Sequence, residues 1–89
     1  MKANGFVFLS VVGGPGNVHD WVGLFAASST DLQQLDWRYM SNSKTAPRTG
    51  ITSATIVFRV PPTRGTYNFR FFKNQTYEKL ATSVVITVQ

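Results

Sequence analysis

Cysteine is missing from this chain, histidine occurs once, and only four acids stand against nine bases in 89 residues. Each scarcity excludes something. Without cysteine there are no disulfides and no thiolate metal sites. A small secreted domain often depends on disulfides, so their lack argues against a free-standing extracellular protein. It argues little against a module carried inside a larger one. The four carboxylates, Asp20, Asp31, Asp36 and Glu78, leave little from which to build a glycosidase pair. His19 stands beside Asp20, but no Gly-x-Ser-x-Gly presents a nucleophile, and His19 reads as a solvated loop residue. No apolar run approaches a membrane span. Met-Lys-Ala-Asn leads straight into Gly5-Phe6-Val7-Phe8-Leu9, without the apolar core and cleavage site of a secretory signal. No catalytic residue is assigned, and no enzyme is expected.

The net charge of +5 is dispersed, with no run of five or more basic residues. Such an excess gives solubility and weak attraction to polyanions, whereas a nucleic-acid binder is expected to cluster its bases in a stripe. Neither nucleic acid nor membrane is therefore expected as the partner. Gly13-Gly14-Pro15-Gly16 lacks the Gly-Lys-Ser/Thr of a phosphate loop and reads as a turn. Asn74-Gln75-Thr76 matches a glycosylation sequon, which matters only in a eukaryotic secretory chain. No cofactor is expected. The one metal site the sequence admits is a structural calcium ion on Asn17 and Asp20 with backbone carbonyls.

What the chain does have is short strands. Candidate runs lie at 5–12, 19–27, 35–40, 52–60, 66–72 and 80–88, separated by clusters of Gly, Pro, Ser and Asn. Ala54, Ile56, Phe58 and Val60 alternate with Thr55, Val57 and Arg59, the period of a half-buried strand. Residues 32–34 offer at most one helical turn as a connector, and the polar segment 41–50 is the longest loop. Six or seven strands with almost no helix predict an all-β fold, a small immunoglobulin-like antiparallel β-sandwich, with residues 1–89 as a single module. Tyr67, placed after Pro and Gly turn residues at a strand entry, resembles the tyrosine corner of such sandwiches.

The aromatic residues are out of phase with this core. Tyr67, Phe69 and Phe71 share one parity and Asn68, Arg70 and Phe72 the other, so Phe72 is expected to face out. Val22 and Leu24 suit the core, which places Trp21, Gly23 and Phe25 outside. Trp37 and Tyr39 share a face in the next run. If the three strands are neighbours, these rings form one exposed platform, with a shallow depression at Gly23. Sugar rings stack on such surfaces through their apolar C–H faces, and Arg70, Asn68, Asn74 or Gln75 could bond the hydroxyls. The competing reading is burial. A Trp early in the third strand of a sandwich is often core, and Phe25 can pack beneath the loops. Trp37, between Asp36 and Arg38, is the ring most expected at the surface.

Gly16-Asn17, Asp20-Trp21-Val22-Gly23-Leu24-Phe25, Leu35-Asp36-Trp37-Arg38-Tyr39, Gly65-Thr66-Tyr67-Asn68-Phe69-Arg70-Phe71-Phe72 and Leu80-Ala81-Thr82-Ser83 cover most of the chain. Together they resemble a β-sandwich module of secreted bacterial polysaccharide-degrading enzymes, carbohydrate-binding module family eighty-one. The resemblance implies an extracellular, non-catalytic domain that binds cellulose or other β-glucans and keeps an attached glycoside hydrolase on its substrate. It places the ligand on Trp37, Tyr39, Trp21 and Phe72, with Arg70 and Asn74 as hydrogen-bonding partners. Asp-Trp-Val-Gly-Leu-Phe with the later Gly-x-Tyr-x-Phe-Arg-x-Phe is also similar to the SKICH domain of eukaryotic signalling proteins. That likeness implies protein interaction or membrane targeting through the basic surface.

Overall fold

The computed structural model describes residues 2–89. Seven strands follow one another: β1 (Phe6–Val11), β2 (Trp21–Ala26), β3 (Asp36–Tyr39), β4 (Ala54–Arg59), β5 (Gly65–Phe72), β6 (Lys79–Thr82) and β7 (Ile86–Val88). Among the described residues there is no helix; 31–32 form only a turn. One sheet is the antiparallel pair β1–β4, and the other runs β3–β2–β5–β6, with β7 also on β5. All pairings are antiparallel. The chain is a small immunoglobulin-like antiparallel β-sandwich.

Period-two alternation builds the core. Val7, Leu9 and Val11 of β1 and Ile56 and Phe58 of β4 point inward against Val22 and Leu24 of β2 and Tyr67, Phe69 and Phe71 of β5. Phe58 and Phe69 meet across the two sheets with ring centroids 5.0 Å apart. Phe58 and Ile56 are fully enclosed, and each such side chain contributes about 1.5–3 kcal/mol through removal from water. The Tyr67 hydroxyl donates to the Thr63 carbonyl at 2.7 Å. That bond, four residues back along the chain, makes Tyr67 a tyrosine corner.

The last run divides into two strands. Residues 80–88 read as one strand in sequence, yet β6 pairs with Arg70–Phe72 and β7 with Gly65–Tyr67. Ser83 makes the break. Its N–H donates to Phe69 O and its Oγ accepts from Phe69 N, each at 2.8 Å, while Oγ donates to Val84 O. One serine thereby satisfies the β5 backbone at Phe69, where neither β6 nor β7 pairs with it. Val84 and Val85 are turned to solvent as a result, and Val88 is inward.

Strands β2 and β5 are buried on both faces, with Trp21–Phe25 and Tyr67–Phe72 all buried. The inward face meets the first sheet. The outer face carries a second cluster of Trp21, Phe25 and Phe72, flanked by Trp37 and Tyr39, and that cluster defines the candidate site.

Candidate functional site

Strand phase and strand order together gather the out-of-phase aromatics. Trp21 pairs with Tyr39 on one side and Phe72 on the other, and Gly23 pairs with Trp37 and Arg70. Trp21, Phe25, Trp37, Tyr39, Arg70 and Phe72 therefore lie on one face of three neighbouring strands, as the parity of their runs implies.

Exposure departs from expectation. Phe25 and Phe72 are completely enclosed and Trp21 retains 7% of its surface. Trp21 stacks on Phe72 at 4.4 Å with the ring planes 20° apart, and Phe25 tilts against Phe72 at 5.8 Å. Tyr77 packs edge-on against both Trp21 and Phe72 at 5.7 Å, so the loop after β5 folds over the rings as a lid of protein. The indole N–H of Trp21 donates to the Thr76 carbonyl at 3.1 Å, tying ring to loop. Burial of these rings corrects the picture of a five-ring exposed platform. A bare sheet face this apolar is covered by whatever loop can reach it, because the gain scales with the area removed from water.

The depression expected at Gly23 is also closed. A Cβ built there would lie 2.6 Å from a Phe25 ring carbon and 2.9 Å from a Trp21 ring carbon. The two rings occupy the space that the missing side chain leaves.

Arg70 is 5% exposed and fully engaged. Its Nη1 donates to Asp31 Oδ1 at 2.9 Å and its Nε to Asn68 Oδ1 at 3.1 Å. Its Nη2 reaches the carbonyls of Ala26 and Ala27, and the guanidinium lies 4.4 Å over the Phe25 ring. This geometry makes Arg70 an anchor for the bend after β2, without a free donor aimed at solvent. Asn74 is exposed at positive φ. Its backbone N–H donates to Asp20 Oδ1 at 2.8 Å, and its side chain lies outside the groove described next.

What the face leaves open is a groove of about 340 Å³ between β3 and the loop 73–78. Trp37, Tyr39 and Tyr77 are its aromatic walls, Trp21 contributes from below, and Gln34 and Gln75 supply amides. Trp37 and Tyr39 meet at 4.9 Å with their planes 86° apart, so they form a corner. Lys44 Nζ lies 5.5 Å over Trp37 and 3.5 Å from Asp36, covering part of that ring. Gln34 Nε2 donates to the Tyr77 hydroxyl at 3.3 Å, while Gln34 Oε1 is buried without a hydrogen-bond partner among the described residues. A buried acceptor left unpaired costs about 1–3 kcal/mol.

Sequence reasoning placed Trp37, Tyr39, Trp21 and Gln75 here and missed Gln34 and Tyr77. Both belong to connecting segments without period, and only the folded loops bring them within bonding distance.

Loop 73–78 is held by Asp20, which is wholly buried. Its Oδ2 accepts from Asn17 N at 2.9 Å and its Oδ1 from Asn74 N, while Gln75 N donates to His19 O at 2.7 Å. Both carboxylate oxygens face the backbone, and Asn17 is one of the donors. Among the described residues no three His, Cys, Asp or Glu side chains converge on a point. His19 is half-buried, its ring 5.8 Å from Tyr39. Asp31 pairs with Arg70 and Lys79, and Asp36 with Arg38 and Lys44. Comparison with protein-family models, curated proteins and solved structures finds no match to this chain.

Proposed function

We propose that this chain is a non-catalytic carbohydrate-binding module that takes a β-glucan chain in the groove of Trp37, Tyr39 and Tyr77. The observation that carries the reading is a groove in which the rings of Trp37, Tyr39 and Tyr77 meet the amides of Gln34 and Gln75. Sugars present that combination in reverse, with apolar C–H faces for the rings and hydroxyl donors for the amides. Trp21 and Phe72 act as the support beneath the walls. Gln34 and Gln75 take the hydrogen-bonding role expected of Arg70 and Asn74. The right-angled corner suits a single glucan chain better than the flat face of crystalline cellulose, which would require coplanar rings. In this reading the module serves an extracellular glycoside hydrolase by holding it to polysaccharide.

Titration with cello-oligosaccharides at two salt concentrations tests the proposal. Affinity is expected to be nearly independent of salt, because stacking on a neutral chain releases no counterions. Trp37→Ala and Gln34→Ala are each expected to weaken it with near-ultraviolet circular dichroism unchanged. Binding to anionic vesicles that collapses with salt, with no response to glucans, would replace this reading by the SKICH-like interaction module.

A further inference from the structure

On another side of the sandwich one strand edge is open. Among the described residues β1 pairs only with β4. The Val60 N–H donates to the Gly5 carbonyl at 2.8 Å, and from that bond the antiparallel alternation runs through Val7, Leu9 and Val11, whose backbone groups face β4. Phe6, Phe8 and Ser10 consequently direct their N–H and C=O groups away from the sheet. The far edge of β4 is guarded, since Asn42 Oδ1 accepts the outward Val57 N–H at 2.8 Å. Edge strand β3 carries Asp36 and Arg38, and β6 carries Lys79. β1, Phe-Val-Phe-Leu-Ser-Val, has no charge and no proline, the devices by which sheet edges are usually kept from pairing.

Beside this edge lies a groove of about 250 Å³ whose opposite wall is Ala81 and Thr82 of β6 with Ser83 after it. Its floor is formed by the core side chains Val22, Phe69 and Phe71. Val11 and Phe71, which line it, keep 9% and 7% of their surface, more than the other members of the main core cluster. The core is thinnest where the backbone is unpaired.

We infer that this position accepts an eighth strand donated by another polypeptide, an extended uncharged segment with apolar side chains at every second residue. Three features of this edge select it. The unpaired groups of Phe6, Phe8 and Ser10 ask for peptide backbone in register. The apolar floor asks for inward side chains on alternate residues. Among the described residues that line it Arg70 alone is charged, and its side chain lies on the opposite face of β5, over Phe25 and paired with Asp31, so a charged donor gains no partner there. A second copy pairing through its own β1 is disfavoured by shape. It would bring its second sheet beneath that strand, into space that β6 occupies. The donated strand is independent of the aromatic groove and of any sugar bound there.

Hydrogen exchange on the full chain tests the inference, with a capped Thr-Val-Thr-Val-Thr-Val-Thr peptide as probe. Without peptide the amides of Phe6, Phe8 and Ser10 exchange fast and those of Val7 and Leu9 slowly. With peptide the first three are expected to slow by roughly tenfold or more, with Val7 and Leu9 unchanged. The same peptide with Lys in place of Val is expected to give no slowing. Ala81→Glu, an exposed wall position, is expected to abolish the effect while preserving the fold. No slowing at millimolar peptide overturns the proposal. Slowing that follows protein concentration without peptide also overturns it, by giving the edge to a second copy.

Discussion

The Arg70 guanidinium lies 2.9 Å from Asp31 Oδ1 and rests on the Phe25 ring at 4.4 Å. One cation thus joins the centre of β5 to the bend after β2, with its charge matched at one end and its flat face covered by an aromatic ring. Asn68 and two carbonyls take further donors. Such an arrangement suits arginine, whose rigid fork spreads several donors in one plane.

Removing Arg70 leaves Asn68 Oδ1 and the Phe25 face without their partner, and Asp31 with only the exposed Lys79. Arg70→Ala is expected to destabilise the fold by about 3 kcal/mol, in the range for breaking a buried ion pair. Asp31 is partly open to solvent, at 31%, and Asp31→Asn is expected to cost only about 1 kcal/mol. Urea denaturation of both variants measures the contrast; equal costs would mean that the carboxylate rather than the guanidinium holds the bend.

Trp37 and Phe72 share a face but not a role. Phe72 is enclosed and stacked under Trp21, so Phe72→Ala is expected to cost about 3–5 kcal/mol of stability. Trp37 is half-buried at the groove wall, and its replacement by Ala is expected to leave the melting transition close to wild type and to lose roughly tenfold or more in affinity for cello-oligosaccharide, on the scale of one ring stack. Thermal melts paired with titration calorimetry separate the two effects.

Gly23 faces the rings of Trp21 and Phe25 at distances no real Cβ tolerates. Gly23→Ala is expected to displace one ring and to destabilise by about 1–3 kcal/mol, the usual cost of overpacking. A change in near-ultraviolet circular dichroism from Trp21 should accompany it. A stability equal to wild type would show that the rings repack without cost.

Loss of one hydroxyl tests the corner. Tyr67→Phe removes the bond to the Thr63 carbonyl, and about 1 kcal/mol of stability is expected to go with it. Chemical denaturation is sufficient to detect this, and an unchanged midpoint would mean that the turn at 61–64 is held by its prolines alone.

Much of this architecture is legible in the chain because strands are read through a period of two. Val22, Leu24, Phe69 and Phe71 declare the core, and the opposite parity declares that Trp21, Phe25 and Phe72 share the other face. Tyr67 signals its corner through the turn before it. The division of 80–88 is less legible, because Ser83 replaces a ladder bond with its side chain and no local propensity announces that.

Parity fixes a face and not its exposure. Whether Phe72 meets water depends on Tyr77 and Thr76, which lie in a loop whose path is set by Asp20 and His19 far along the chain. Arg70 reads as a solvent-facing donor until Asp31 arrives from the bend after β2. Gln34 gains its place in the groove only through Tyr77, 43 residues away. The sequence by itself determined an all-β sandwich and which aromatics lie together, since both follow from alternation along a strand. The tertiary structure decided which of those rings are buried, where the groove opens and which strand edge is left unpaired. Those outcomes depend on contacts between loops and on the order of strands across the sheets, and neither is written in any local pattern of residues.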